Sequence, residues 1–289
     1  MKALLLGAGG QLGNDLIQQN ELLGNPLKVT PWTREHLDLE QLEKIPTTLA
    51  SLSFDVLINC AAYNGVDRAE EEPKKAMAVN AQAVAVLARV CRERNSHFVH
   101  ISTDFVFNGE ASTPYIEKTA TSPINVYGAS KALGEELALA EWEKTYIFRT
   151  ASLFGTRGSR EKGGNFVDTI IARAMKGENL QVIRDITMSP TSTHDLAQMI
   201  LKTINQNAQH GIYHAVNSGM ATWYEFALEI VQSCGFSAEV TPILSTDLHQ
   251  KAKRPHYTVL NNQKTASLIG EIPSWKEALK RYLHEKKHI

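Results

Sequence analysis

The chain reads as an α/β protein built on a doubly wound parallel (Rossmann-type) sheet, with a smaller α/β substrate-binding region interleaved with it. Three observations predict this. The sequence opens on an apolar run, residues 3–6, that flows into Gly7-Ala8-Gly9-Gly10-Gln11-Leu12-Gly13 and then into a helical pattern through Leu16, Ile17, Leu22 and Leu23. Further short apolar runs alternate with helical segments across the first half, the signature of βαβ units. Polar side chains follow two of those runs, as Tyr63-Asn64-Gly65-Val66-Asp67 and Ser102-Thr103-Asp104. Ligands bind at the carboxyl edge of open α/β sheets, where these residues would lie.

The opening glycines follow Gly7-x-x-Gly10-x-x-Gly13, because Leu12 stands where the stricter G-x-G-x-x-G has glycine. Small residues there let the backbone around Gln11 and Leu12 approach a pyrophosphate seated on the helix N-terminus. A second strand over 27–31 ends at Trp32-Thr33-Arg34. Arg34 suits a ribose 2′-phosphate, which favours NADPH, with NADH also possible beside Glu35. Asp38 and Leu39 follow, Asp38 being a candidate for the adenine amino group or an ordinary helix cap.

Residues 55–62 read as a buried parallel strand, 73–94 as a long helix carrying Asn80, and 97–102 as a further strand. A polar loop, 108–123, leads to Tyr127-Gly128-Ala129-Ser130-Lys131. A phenol and an ammonium four residues apart share one helix face. A free tyrosine, with a pKa of about 10, moves protons poorly at neutral pH; a nearby positive charge makes its hydroxyl useful. After a strand at 146–150, residues 155–164 are rich in glycine and charge and read as a lid, a substrate-side loop or a solvated insertion.

Beyond this point the pattern predicts helices at 166–175, 193–205, 223–234 and 275–284. It predicts strands at 180–183, returning to the main sheet, and at 211–216. The expected division is a dinucleotide-binding region over 1–151, rejoined by about 178–216, and a mainly substrate-side region over 152–289.

The 289 residues are 43% apolar and 21% charged, which suits a soluble globular chain. A net charge of −1 removes a general electrostatic case for nucleic acid or an anionic membrane as partner. Cys60, Cys91 and Cys234 are too few and scattered for a disulfide framework, so a reducing cytoplasm is expected. No metal site is expected. Glu70, Glu71 and Glu72 are consecutive and splay around a helix, reading as a solvated helix start.

The glycine turn, Asn80, Ser102-Thr103-Asp104-Phe105-Val106-Phe107 and Tyr127-x-x-x-Lys131 together resemble the extended short-chain dehydrogenase/reductases. Ala61-Ala62-Tyr63, Val66-Asp67-x-Ala69-Glu70, Asn165-Phe166-Val167, Pro190-Thr191, Gly211-x-Tyr213-His214 and Arg254-Pro255 are similar to the dTDP-4-dehydrorhamnose reductase family within them. The resemblance spans nearly the whole chain. It implies hydride transfer from the nicotinamide C4 to the C4 ketone of a nucleotide-linked 6-deoxysugar. Tyr127 would give the proton, Lys131 would hold the nicotinamide ribose and tune Tyr127, and Thr103 would hydrogen-bond the carbonyl oxygen.

Cofactor contacts would extend to Ala61, Ala62, Tyr63, Asn80 and Ser102. Val66, Asp67, Asp104, Asn165 and Arg254 would lie on the substrate side, with Arg254 near the diphosphate. The sequence departs from the family pattern at Ser152, where tryptophan is common, and at Met188, where glycine is. A monomer or homodimer is expected. Other readings on the same scaffold are a different nucleotide-sugar reductase or epimerase, or a silent NADP-binding regulatory subunit like the β-subunit of methionine adenosyltransferase.

Overall fold

The computed structural model describes residues 1–157 and 164–289. The first half runs β1 (Lys2–Leu6), α1 (Gln11–Leu22), β2 (Lys28–Trp32), α2 (Lys44–Leu49), β3 (Val56–Asn59), α3 (Val66–Glu71) and α4 (Pro73–Met77). A π-helical turn, Ala78–Gln82, then leads into α5 (Ala83–Glu93), β4 (His97–Thr103), α6 (Val126–Glu141) and β5 (Thr145–Thr150). The second half holds β6 (Leu153–Phe154), α7 (Phe166–Ala174), β7 (Leu180–Ile183), β8 (Thr187–Met188), β9 (Thr191–Ser192), α8 (Thr193–Asn205) and β10 (Gly211–His214). It closes with β11 (Ala221–Thr222), α9 (Trp223–Ser233), β12 (Val240–Ile243), α10 (Gln263–Ile269) and α11 (Trp275–Glu285).

Among the described residues, six strands form one sheet in the order β10-β5-β4-β3-β1-β2, every neighbouring pair parallel. The strands interior to the sheet are buried on both faces, which is why they read as continuous apolar runs. Along β1 the faces alternate. Ala3 and Leu5 pack with Leu16, Leu196 and Ile200 on one side, Leu4 and Leu6 with Val84 and Leu87 on the other.

The strand order reverses between β1 and β3, and that switch point is where an open α/β sheet leaves a crevice. Gly7 leaves β1 there with φ +77°, the left-handed region that glycine adopts freely.

Residues 180–183 do not return to the main sheet. β7 pairs in parallel with β12 as a separate two-stranded ribbon. β10 already occupies the edge beside β5. The apolar side of β7 is drawn instead into a second core, where Leu180 and Val182 pack with Ile170, Ile171, Phe226 and Ile230. Met188, which departs from the family pattern, is buried in this same core. Ser152 takes a left-handed conformation, φ +46°, just after β5.

Helix α6 lies unusually close to its neighbours. A Cβ added at Gly134 would stand 2.0 Å from the Asn80 carbonyl oxygen in the π-helical turn. One added at Gly128 would stand 2.1 Å from the Phe105 carbonyl oxygen. Helix propensity alone gives Gly134→Ala a gain of about 1 kcal/mol. The backbone contact predicts the opposite sign, a loss of about 1–3 kcal/mol as α6 is pushed off the turn. Urea unfolding of the variant separates the two outcomes.

Candidate active site

The glycine turn is built for close approach. A Cβ at Gly7 would meet Ala61 N at 2.7 Å and Cys60 C at 2.8 Å, and one at Gly13 would meet Gly7 O at 2.4 Å without room for the strand and helix to separate. Gly10 is the N-cap of α1 and supplies no side-chain cap, so the first N–H groups of that helix are left for another acceptor. Gln11 Oε1 is buried with no hydrogen-bond partner among the described residues. A side-chain-free cradle and free helix N–H groups fit a dinucleotide pyrophosphate, while the orphaned Gln11 oxygen, an acceptor, fits a hydroxyl of the same ligand.

Tyr127 and Lys131 sit on the first turns of α6. Asn125 caps the helix by accepting from Gly128 N at 2.7 Å, which fixes its start two residues before the tyrosine. Tyr127 is half-buried, edge-on to Phe105 with ring centroids 5.9 Å apart. Lys131 is buried, and its Nζ donates to Ile101 O at 2.5 Å on β4 and lies 3.2 Å from His100 Nε2. Burial lowers its ammonium to about 8, against the opposing pull of Glu135 and Cys60. The Cys60 thiol, pushed up to about 12 by burial, feels the Lys131 charge. Cys60, at the end of β3, lies against Gly7 and its thiol feels the Lys131 charge, so the glycine turn and the Tyr127 helix serve the same end of the sheet.

At the end of β4, Thr103 Oγ1 accepts from Phe105 N at 3.2 Å and donates to Asp104 Oδ1 at 2.9 Å. Burial raises the Asp104 carboxyl to about 6, opposed by hydrogen bonds from Thr258 and Thr103. Asn80 is fully buried and accepts from Tyr63 N at 2.8 Å while donating to Tyr63 O and to Ser130 Oγ. It ties the loop after β3 to α6.

On the substrate side, Arg254 Nη2 bonds Asp67 Oδ2 at 2.8 Å, and Asp67 Oδ1 accepts from Ala252 N at 3.0 Å. Burial would raise the Asp67 carboxyl, but these bonds and the Arg254 charge hold it below its ordinary value. Asn125 Nδ2 donates to Lys253 O at 2.8 Å, so the segment around 252–258 is strapped to the start of α6 and the front of α3. Val66 is the first residue of α3, one position before Asp67.

Several expectations need correction. The Asn80 amide is spent on Tyr63 and Ser130, which makes it a strut between the loop after β3 and α6. Ser102 donates its hydroxyl to Glu135, itself clasped by buried Arg149 at 2.6 Å, so its side chain also faces the interior. Leu39 is buried in the core with Leu37 and Ile45. Asn165 caps α7, accepting from Asp168 N and donating to Gly155 O and Tyr282 OH, which commits its whole amide to the fold.

Arg34 is exposed and held by Asp38 at 3.1 Å and Glu40 at 2.6 Å. The three glutamates close α3, with Glu72 as its C-cap, and are engaged, not simply solvated: Glu70 accepts from Val126 N, Glu71 pairs with Lys251, and Glu72 accepts from Tyr63 OH. Of the glycine-rich segment read as a lid or insertion, residues 158–163 lie outside the described residues.

Sequence reasoning missed Asn59, His100, Glu135 and Thr258. Asn59 and His100 sit inside runs read as apolar strands, and a polar residue interrupting such a run was the available signal.

A parallel sheet with a glycine turn at its switch point and a Tyr-x-x-x-Lys helix across it define an extended short-chain dehydrogenase/reductase fold. The chain belongs to the RmlD substrate binding domain family, whose sequence pattern matches residues 1–288. It is similar to the spore coat polysaccharide biosynthesis protein SpsK of Bacillus subtilis, 34% identical over 285 residues and covering 99% of this chain and 98% of that one. Among solved structures, a dTDP-4-dehydrorhamnose reductase from Clostridium acetobutylicum matches with a TM-score of 0.92 and 36% identity, covering 99% and 100% of the two chains. The dTDP-4-dehydrorhamnose reductase of Bacillus anthracis, solved in complex with NADP, matches with a TM-score of 0.90 and 33% identity, covering 98% and 99%.

Asp104 gives a pH-dependent test. Its carboxyl is raised in the folded state, so folding gains nothing from its ionisation and loses stability as pH climbs from the ordinary carboxylate range through about 6. Asp104→Asn keeps an acceptor for Thr103 and removes that penalty. The variant is expected to be more stable than wild type at pH 7 by on the order of 1–3 kcal/mol, the gap closing toward pH 4. Urea unfolding at the two pH values checks this.

Proposed function

We propose that this chain is an NADPH-dependent nucleotide-sugar 4-ketoreductase that converts dTDP-4-dehydro-L-rhamnose to dTDP-L-rhamnose. The observation that carries the reading is the side-chain-free turn at Gly7, packed against Cys60, together with Lys131 bonded to Ile101 O on the strand that ends in Thr103, one helical turn from Tyr127. Full-length similarity to reductases that carry this name supports the same substrate class. A bound reduced nicotinamide supplies the hydride. Gly7, Gly10 and Gly13, with the α1 backbone from Gln11 and Leu12, hold its pyrophosphate, and Ala61, Ala62 and Tyr63 line the crevice after β3.

This chain's own residues then govern the proton. Tyr127 donates from its hydroxyl to the ketone oxygen as charge develops there. Thr103 turns its hydroxyl from Asp104 to the same oxygen, and Asp104 retains Thr258 as a partner. Lys131 bonds the nicotinamide ribose and sets the local charge on the phenol. Arg254 orients the diphosphate through its planar fork while Asp67 and Val66 border the sugar.

NADPH is preferred and NADH is accepted. Arg34 meets the 2′-phosphate by exchanging its exposed pairs with Asp38 and Glu40, which cost little to break. The NADP complex of the Bacillus anthracis relative supports that choice. Residues 1–151 hold the cofactor and 152–289 supply most of the substrate side. The enzyme works as a monomer or homodimer in the cytoplasm.

The test follows NADPH absorbance with dTDP-4-dehydro-L-rhamnose. Wild type is expected to turn over, and Tyr127→Phe to lose at least about a hundredfold in kcat with NADPH binding and unfolding midpoint retained. A Tyr127→Phe enzyme of undiminished rate refutes the acid assignment. A wild-type chain that binds NADPH yet reduces no keto-sugar nucleotide refutes the reductase reading.

A further inference from the structure

The segment 251–258 lies against the front of α3, and its one arginine is held from two sides. Arg254 Nη2 donates to Asp67 Oδ2 at 2.8 Å, and Nη1 donates to Ala252 O at 3.0 Å. The second oxygen of Asp67 accepts from Ala252 N at 3.0 Å. One carboxylate therefore grips the backbone of the segment and its guanidinium together. The arginine is the more buried partner, its side chain 16% exposed against 43% for Asp67. A guanidinium carries five N–H donors, so these two bonds leave three to meet a ligand.

The segment itself is fixed by other contacts. Asn125 Nδ2 donates to Lys253 O, Lys251 pairs with Glu71, and Thr187 exchanges backbone bonds with His256 and Thr258. A Cβ added at Gly109 would stand 2.5 Å from Pro255 Cβ, so that loop presses on the segment as well. What Asp67 adds beyond these is the setting of the Arg254 side chain, which is otherwise long and rich in rotamers. We infer that Asp67 is a positioning residue for Arg254: with both oxygens spent on residues 252–254, it acts on the substrate by pre-setting the guanidinium that meets the diphosphate, and not as a ligand of the sugar. The inference rests on the reductase reading above, which puts a diphosphate at Arg254.

A carboxylate next to a diphosphate site has two opposing effects. Its charge repels the ligand, so repulsion alone makes its removal tighten binding. Its grip on Arg254 spares the ligand the cost of ordering that side chain, so loss of the grip weakens binding. The sign of the change tells which effect wins. Burial of the Asp67 carboxyl is outweighed by its bonds to Ala252 and Arg254, which hold it below its ordinary value, so the grip persists at neutral pH.

Two measurements test the inference. In the first, dTDP is titrated calorimetrically into the full chain. Asp67→Asn keeps the size of the side chain and an acceptor for Ala252 N but gives up the charge that holds Arg254. It is expected to weaken dTDP binding by about three- to tenfold, the cost of ordering one long side chain. In an Arg254→Ala background the same substitution is expected to leave binding unchanged or tighter, because no guanidinium remains to be set. Binding unchanged or tightened by Asp67→Asn alone overturns the inference, and so does an equal loss in both backgrounds.

The second measurement is 15N relaxation of the Arg254 Nε–H in the chain without ligand, assigned by the loss of its signal in Arg254→Lys. A rigid group in wild type that Asp67→Asn sets free is expected. A wild-type group as mobile as those of exposed arginines, or one equally rigid in Asp67→Asn, overturns the inference. Should Asp67→Asn fail to fold, the wild-type relaxation decides alone. A chain that neither binds dTDP nor reduces any keto-sugar nucleotide would sink the reductase reading, while the relaxation would still decide whether Asp67 sets Arg254.

Discussion

Everything at the sheet's carboxyl edge depends on how closely α6 is pressed onto its neighbours. At Gly134 and Gly128 the helix backbone meets carbonyl oxygens with no space for a methyl group, which fixes both its distance and its rotation. Asn80 then locks the same interface with hydrogen bonds to the Tyr63 backbone and Ser130. A helix held this tightly cannot present Tyr127 without also burying Lys131, because the two residues are one turn apart on one face. Burial of the lysine shifts its titration toward neutrality. The path from glycine placement to proton chemistry is therefore continuous.

Burying polar side chains under a catalytic edge is costly unless each finds partners. Here the partners form columns that link neighbouring strands to α6. Ser102 of β4, Glu135 of α6 and Arg149 of β5 make one, with Arg149 also stacked over the Phe107 ring at 5.1 Å. Asn59, His100 and Lys131 make another, and Thr103, Asp104 and Thr258 a third at the strand end. Such satisfied networks rigidify the elements they join, so the reacting groups are held by the fold and not by flexible surface contacts.

The legible parts of the sequence were those where one residue type has one physical use. Glycines spaced three apart after an apolar run announced the turn, and the tyrosine–lysine spacing announced the helix face. The strands buried on both faces were equally plain. What stayed hidden was partnership. The run at 180–183 reads as a strand, but nothing in its four residues names β12 as its neighbour, and Pro242 disguised that neighbour because proline interrupts a ladder. Asn80, Ser102 and Asn165 were rightly singled out as polar residues at important places. Their hydrogen bonds turn them inward, a fact set by residues up to 117 positions away. His100 and Asn59 were passed over because each sits within an otherwise apolar strand.

The most direct measurement of the central claim is a crystal structure of this chain with NADPH bound. The account predicts the pyrophosphate over the Gly7–Gly13 turn and the nicotinamide ribose bonded by both Tyr127 Oη and Lys131 Nζ at about 3 Å. A cofactor whose nicotinamide ribose lies beyond reach of both groups, with the pyrophosphate off the glycine turn, would contradict it.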